Sequence, residues 1–329
     1  MPADIAVLGA GAWGAALAMA EAAAGRSVLL WARRPERAAE IARTRSLAPY
    51  LPDDIQLPPG IAVTSDLANA AKVRTVFAVT PAQALRAVLT KLQPTGRLVL
   101  CCKGIELGTG ALMPDVAAEA APSAEVYILS GPNFAAEVAR QLPAAATLAG
   151  PGLAAASRLT NELATPSFRL YPSGDRIGVA LGGALKNVMA IAAGAVEGAG
   201  LGENARAGVA TRGLAEMARV AVAMGAERDT LMGLAGVGDL MLTCSGAQSR
   251  NYSLGVALGQ GRALKDILAE RQSVSEGVVT AAAARAMAEK LGVEAPIIAA
   301  VDDVMAGRLA LAGAIRKLLS RPPARNEQA

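Results

Sequence analysis

The feature that most constrains this chain is a glycine turn set between an apolar run and a helical pattern. Ile5-Ala6-Val7-Leu8 reads as a buried strand, Gly9-Ala10-Gly11-Ala12-Trp13-Gly14 follows at once, and residues 13–24 have a helical pattern that Gly25 stops. Three spaced glycines mean little alone in a chain that holds 34. A strand before and a helix after give them the context of a dinucleotide-binding turn. In that geometry Gly9 makes the tight turn, Gly11 lets the backbone approach a pyrophosphate, and Gly14 lets helix and strand pack closely. The helix N-terminus then offers its unpaired N–H groups and positive dipole end to the phosphates.

The pattern that follows extends this unit. Residues 27–31, 73–79, 97–101 and 126–129 read as further strands, and 33–45 as a helix. Thr80-Pro81-Ala82-Gln83 has the N-cap, first-turn proline and N3 glutamine of another helix start. Strands alternating with helices predict an α/β N-terminal Rossmann domain, doubly wound around a mostly parallel sheet, over residues 1–174. From residue 175 β-branched runs almost vanish. Helical stretches at 175–197, 204–224, 229–234, 239–245, 250–260, 264–270, 278–290 and 296–305 predict an all-α C-terminal domain over 175–320. Residues 321–329 lack an apolar face and read as a disordered tail.

Composition narrows the chemistry. Hydrophobic residues make up 53% of the chain and aromatics only 3%, so the cores must be built from Ala, Val, Leu and Ile. A net charge of +4 is too small and dispersed to predict nucleic-acid binding, and the densest basic stretch, Arg33 to Arg45, is broken by Glu36 and Glu40. The chain has no histidine, so acid–base work falls to Lys, Asp, Glu, Tyr or Cys. Three cysteines, Cys101, Cys102 and Cys244, predict neither a disulfide framework nor a metal site, and fit a reducing compartment. The chain opens without a basic leader, which predicts no signal peptide. The apolar stretch 177–196 is interrupted by Lys186 and Asn187, which favours a buried helix over a membrane span. A cytoplasmic protein without stable membrane insertion is expected.

At the end of the second strand a carboxylate would read the ribose of NAD, but the sequence has Trp31-Ala32-Arg33-Arg34. An arginine there pairs with a 2′-phosphate, which predicts NADP in preference to NAD. Arg33 and Arg34 are alternatives for that contact, the other being an exposed helix start. Three later segments place polar groups where they are costly without purpose: Cys102-Lys103-Gly104-Ile105, Ser130-Gly131-Pro132-Asn133-Phe134-Ala135, and Leu185-Lys186-Asn187-Val188. Gly182, Gly183, Met189 and Ala190 lie one turn from Lys186 and predict room for a ligand beside its ammonium. Desolvation would lower that lysine towards the working range of an acid–base catalyst. Pairing with a buried carboxylate is the alternative. Asp239 and Thr243 lie four apart, hence on one helix face, and both are read as substrate contacts. Ser249-Arg250-Asn251 suits a phosphate dianion. Glu276 is either a ligand contact or, with Ser273, part of a capping box.

These motifs in this order resemble the bacterial NAD(P)-dependent sn-glycerol-3-phosphate dehydrogenase family over nearly the whole chain. The likeness rests on the glycine turn with Trp13, Lys103-Gly104-Ile105, Ser130 to Ala135, Lys186-Asn187, Gly236 to Cys244, and Ser249-Arg250-Asn251. Asn133 departs from it, since the family more often has a small hydroxyl residue there. The resemblance implies reversible reduction of dihydroxyacetone phosphate to sn-glycerol 3-phosphate for glycerophospholipid synthesis, with Lys186 as proton donor and acceptor. It implies substrate contacts from Lys103, Gly131, Asn133, Asp239, Ser249, Arg250 and Asn251. It implies cofactor contacts from Ala12, Trp13, Arg33, Lys103, Ala135, Arg250, Val274 and Glu276, of which Ala135 and Val274 rest on the resemblance alone. In the expected mechanism Lys186 protonates the alkoxide formed by hydride transfer, Lys103 and Asn187 stabilise that charge, and Asp239 orients Lys186. Two rivals remain at this stage: a dehydrogenase of a β-hydroxyacid, and a non-catalytic NADPH sensor. The oligomeric state stays open, a homodimer included.

Overall fold

A computed structural model describes residues 3–246, 248–271 and 276–322. The chain folds as two compact units. The first takes residues 1–102 and 113–176; the second takes 103–112 and the chain from Ile177 onward. Residues 103–112 thus pack with the second unit, although they precede the expected boundary at 174/175.

In the first unit eight strands form one sheet: β1 (Ile5–Leu8), β2 (Val28–Trp31), β3 (Ile61–Thr64), β4 (Thr75–Ala78), β5 (Arg97–Leu100), β6 (Glu125–Ser130), β7 (Ala144–Ala149) and β8 (Phe168–Ser173). Their order is β3-β2-β1-β4-β5-β6-β7-β8. Every pairing is parallel except β6 with β7. The chain runs outward from β1 to β3 on one side, then returns to β4 and runs outward on the other. The strand order therefore reverses between β1 and β4, which is where such sheets bind ligands. Helices α1 (Ala12–Ala23), α2 (Pro35–Thr44), α3 (Ala68–Ala71), α4 (Leu85–Leu92), α5 (Met113–Ala120), α6 (Ala135–Ala139) and α7 (Leu153–Glu162) connect or flank the strands. Ile5, Val7, Leu17, Val28, Leu30, Phe77 and Val99 form the heart of the core. Each such buried apolar side chain contributes roughly 1.5–3 kcal/mol.

The helical unit contains α8 (Arg176–Gly198), α9 (Glu203–Ala223), α10 (Arg228–Leu231), α11 (Asp239–Cys244), α12 (Arg250–Gly259), α13 (Leu264–Ala269), α14 (Glu276–Lys290), α15 (Pro296–Met305) and α16 (Leu311–Leu319), with a π turn over Leu234–Gly238 leading into α11. Helix α8 is long and apolar enough to cross a membrane, yet most of it is buried within the fold. An all-round apolar helix of this kind is the axis of a helical core. Glycines let α12 reach it: a Cβ on Gly194 would lie 2.1 Å from the Tyr252 carbonyl oxygen, one on Gly198 2.1 Å from that of Val256, and one on Gly255 2.1 Å from that of Ile191. Gly194 and Gly198 on one helix, Gly255 and Gly259 on the other, make a backbone-to-backbone crossing.

The structure corrects some expectations. Pro81 is extended (φ −53, ψ 142), so the chain does not enter a helix there. A 3-10 turn over Ala82–Ala84 precedes α4, and Thr80 caps nothing. Strand β7 is mostly alanine and β8 contains Pro172, so neither has the β-branched signature of a strand. Pairing with neighbours makes them strands, and Pro172 is tolerated because β8 is the sheet edge. Val274, Ser273 and residues 323–329 of the expected tail lie outside the described residues.

Candidate active site

The glycine turn lies at the strand-order reversal of the first unit. Gly9 has φ +125, and a Cβ there would lie 2.7 Å from the Val79 carbonyl oxygen, just past β4. At Gly14 a Cβ would sit 1.8 Å from the Gly9 carbonyl oxygen, so only glycine lets α1 start this close to β1. Gly11 is different: nothing lies within 4 Å of the place its Cβ would take. It is the N-cap of α1, no side chain caps that end, and no acidic residue occupies the first turn. The first N–H groups of α1 and its positive dipole end are thus left without a capping side chain, which suits a pyrophosphate. Ala12 and Trp13 open the helix half-buried, with Trp13 edge-on to Phe168.

Other expected cofactor residues, and the expected substrate contacts Gly131 and Asn133, fall around the same sheet edge. Arg33 and Arg34 follow β2, both exposed, Arg34 as the N-cap of α2. Ala135 opens α6, which packs against α1. Gly131 follows β6, and its missing side chain admits the β7 backbone, whose Ala146 Cα would lie 2.8 Å from a Cβ there. The Asn133 amide donates to the Ala145 carbonyl at 3.2 Å. Among the described residues, Asn133 Oδ1, Ser130 Oγ and Thr80 Oγ1 are buried without a hydrogen-bond partner. Buried polar atoms of this kind call for a ligand or water, and these lie at or just past the carboxyl ends of β4 and β6. The residues present therefore fit a dinucleotide.

In the helical unit, two lysines converge on one carboxylate. Lys186 on α8 donates to Asp239 Oδ1 at 2.7 Å and to Thr243 Oγ1 at 2.8 Å. Lys103 donates to Asp239 Oδ2 at 2.5 Å. Thr243 in turn donates to the Asp239 carbonyl at 2.6 Å. Asp239 is 1% exposed, and Asn187 beside Lys186 is also buried. Burial draws the Lys186 ammonium down to about 8, with Lys103 adding to the effect and Asp239 opposing it. Burial alone would raise Asp239, but Lys103 and Lys186 outweigh it and hold the carboxyl below its usual range. Lys186 is thus paired with a carboxylate and also lowered by burial. The room expected beside it is absent at Gly182, where a Cβ would meet the Ala235 carbonyl oxygen at 2.5 Å. That glycine seats α8 against the π turn and so delivers Asp239 to the lysine.

Ser249 is the N-cap of α12, its hydroxyl accepting from the Tyr252 N–H at 3.2 Å. Arg250 is exposed in the first turn, and its carbonyl is held by Arg271 at 2.6 Å. Asn251 Oδ1 accepts from the Gly277 N–H at 3.1 Å. Gly277, which nothing in the sequence pattern singles out, has no room for a side chain: a Cβ would lie 2.7 Å from the Asn187 carbonyl oxygen and 2.9 Å from Asn251 Oδ1. It brings the start of α14 to α8 and α12, and with it Glu276. Burial raises the Glu276 carboxyl against the pull of Arg250, Lys103 and Lys186. Cys244 is also buried, its thiol pushed up to about 12, which removes it as a nucleophile.

A mostly parallel sheet with a glycine turn at its strand-order reversal, on one chain with a helical unit that holds a buried lysine–carboxylate cluster, defines a two-unit fold of the dinucleotide-binding class. Residues 4–156 match the model of the NAD-dependent glycerol-3-phosphate dehydrogenase N-terminus, and residues 175–316 that of its C-terminus. The glycerol-3-phosphate dehydrogenase, NAD(P)+, of Caulobacter vibrioides is 54% identical over 97% of each chain. The enzyme of that name from Rhodospirillum rubrum is 52% identical over 97% of this chain and 92% of its own. The crystal structure of glycerol-3-phosphate dehydrogenase from Coxiella burnetii superimposes with a TM-score of 0.92 at 35% identity, covering 97% of this chain and 99% of that one. The chain belongs to the NAD-dependent glycerol-3-phosphate dehydrogenase family.

Proposed function

We propose that the protein catalyses the reversible reduction of dihydroxyacetone phosphate to sn-glycerol 3-phosphate with NADPH, preferred over NADH, and works in the cytoplasm to supply glycerophospholipid synthesis. The observation that carries this reading is the Lys186 ammonium, 2.7 Å from Asp239 Oδ1 and drawn by burial to about 8. Reducing a carbonyl requires a proton at the new alkoxide, and an acid–base group is most effective when its pKa lies near the working pH. In a chain with no histidine, Lys186 Nζ meets that requirement. It gives its proton to the C2 oxygen in reduction and takes it back in oxidation. Asp239 holds the lysine in place, and Lys103, on the other oxygen of the same carboxylate, stabilises the developing negative charge with Asn187.

The phosphate is assigned to the start of α12. The Ser249 hydroxyl accepts from Tyr252 and keeps its own proton to donate. Asn251 has its carbonyl oxygen engaged by Gly277, which turns its amide N–H groups into the ligand donors. Arg250 adds a guanidinium, and the helix dipole favours a dianion there. Thr243, Gly131 and Asn133 complete the substrate contacts. For the dinucleotide, Gly9, Gly11, Ala12, Trp13 and Gly14 take the pyrophosphate, and Arg33 pairs with the 2′-phosphate. Ala135, Arg250, Val274, Glu276 and Lys103 are the further contacts. The reduced nicotinamide, when bound, supplies the hydride.

The test is a spectrophotometric assay of dihydroxyacetone phosphate against 3-hydroxyacids, with NADPH and NADH in parallel. Turnover of dihydroxyacetone phosphate, faster with NADPH, is expected. Lys186→Ala should lose turnover and keep NADPH affinity. Substantial turnover by folded Lys186→Ala would sink the lysine's role, and preference for a 3-hydroxyacid would sink the substrate.

A further inference from the structure

The sheet of the first unit borders a cavity on the edge away from the glycine turn. The turn follows the carboxyl end of β1, and the coenzyme of such a fold binds along that edge. The cavity, of about 310 Å³, is at the opposite edge. Arg74 immediately precedes β4, Arg97 is the first residue of β5, and Glu125 is the first of β6. Arg158 and Leu159 on α7 form another wall, with Thr95, Gly96 and Ser123 between them. Gly96 is required for this shape, because a Cβ there would lie 2.3 Å from the Arg74 carbonyl oxygen.

The lining has three arginines against one carboxylate. That carboxylate, Glu125, is engaged with Tyr127, whose hydroxyl is pushed up to about 12 by burial and by this interaction. Glu162 beside the cavity pairs through both oxygens with Arg97, which fixes that guanidinium in one orientation. Arg74 and Arg158 lie close enough to Glu162 to lower its carboxyl further, after Arg97 itself. Positive charge therefore exceeds negative around the cavity, and the Thr95 and Ser123 hydroxyls are further donors. The only aromatic ring, Tyr127, is 2% exposed and packed where a Gly150 Cβ would lie 2.8 Å from it. A nucleobase would find no face to stack on, and the volume is at the lower end of that for small-molecule sites.

We infer that this cavity at the amino-terminal edge of β4–β6 is a binding site for a small phosphoryl dianion, held by Arg74 and Arg158 beside the Glu162-bound Arg97 and separate from the substrate and coenzyme sites. Guanidinium forks match phosphate oxygens in pairs, which lysines do not do. Two sources carry this chemistry, free phosphate and a small phosphate ester. The inference stands apart from the proposed reaction, since none of its residues is assigned to the active site.

The experiment is calorimetric titration of the full-length protein with inorganic phosphate, and separately with glycerol 2-phosphate, in wild type and in Arg74→Ser/Arg158→Ser. Both arginines are exposed, so the variant should keep its fold and its turnover of dihydroxyacetone phosphate. Wild type should bind one more equivalent than the variant, or the variant should bind that equivalent about ten-fold more weakly or worse. Heat with phosphate that the double variant loses identifies the free anion as the ligand of this cavity, and tighter binding of glycerol 2-phosphate, lost in the same variant, identifies an ester. The single variant Arg158→Ser should show an intermediate loss, which guards against a folding defect in the double variant. Superimposable isotherms for wild type and both variants, with either probe, would overturn the inference.

Discussion

Replacing Asp239 with Asn tests the centre of the proposed chemistry without removing the lysine. Asp239 is almost wholly buried and touches two ammonium groups, at 2.7 Å from Lys186 and 2.5 Å from Lys103. Asparagine keeps the size and one acceptor oxygen but removes the charge. Two unit charges about 4 Å apart interact by roughly 4 kcal/mol at the effective dielectric that suits protein sites. Losing that attraction moves the Lys186 midpoint from about 8 to roughly 5, because each 1.36 kcal/mol is one pH unit. At pH 7 about nine in ten wild-type molecules hold Lys186 as ammonium, and in the variant about one in a hundred would. Reduction of dihydroxyacetone phosphate at pH 7 should fall by about two orders of magnitude, and the alkaline limb of kcat/KM should move from near pH 8 to below pH 6. The measurement is a pH–rate profile from 5 to 9.5 for both proteins, with NADPH affinity as a control for folding. A variant that loses activity yet keeps its alkaline limb near pH 8 would refute the reasoning, because Asp239 would then not be what holds the Lys186 proton.

Other outcomes follow from packing and burial. Gly14→Ala places a Cβ 1.8 Å from the Gly9 carbonyl oxygen, so it should lower stability by about 3 kcal/mol or more and weaken NADPH binding, both read from thermal melts with and without the dinucleotide. Gly255→Ala pushes α12 off α8, where the gap to the Ile191 carbonyl oxygen is 2.1 Å; a similar loss of about 3 kcal/mol is expected, with KM for dihydroxyacetone phosphate rising because Ser249, Arg250 and Asn251 ride on α12. Burial raises Glu216 to about 7, against the Ile297 and Ile298 N–H groups it accepts from. A carboxylate raised on folding stabilises most below the unfolded value near 4.5 and loses that contribution as pH rises through about 7. Stability should therefore fall by up to about 3 kcal/mol across that window, and Glu216→Gln should flatten the slope in melts taken from pH 4.5 to 7.5; an unchanged slope would count against it.

The parts legible in the sequence share one property: a local pattern was enough to dictate them. Strand β1, the turn at Gly9 and helix α1 are adjacent in the chain, and each residue's requirement is visible within six positions. Lys186 stands out as a charge in an apolar helix, and Asp239 and Thr243 as neighbours one turn apart. Strand β7 was hidden because Ala144–Ala149 has no strand signature of its own, and only β6 and β8 on either side make it extended. The helix start expected at Thr80 failed because Pro81, which suits a first helical turn, also suits the extended backbone it adopts.

What the sequence determined alone was therefore chemical inventory and local shape: a glycine turn between a strand and a helix, an α/β half and a helical half, no histidine, and a lysine set in an apolar helix. Only the tertiary structure decided that Lys103 and Lys186, separated from Asp239 by 136 and 53 residues, meet on the same carboxylate. It also decided that Gly182 serves close approach between backbones rather than open space for a ligand, as Gly194, Gly255 and Gly277 serve close approach elsewhere. The reason is physical. Helix and turn preferences act over a few residues. A buried ion pair exists only when distant elements have packed closely enough to exclude water, and its effect on a lysine's proton comes from that exclusion.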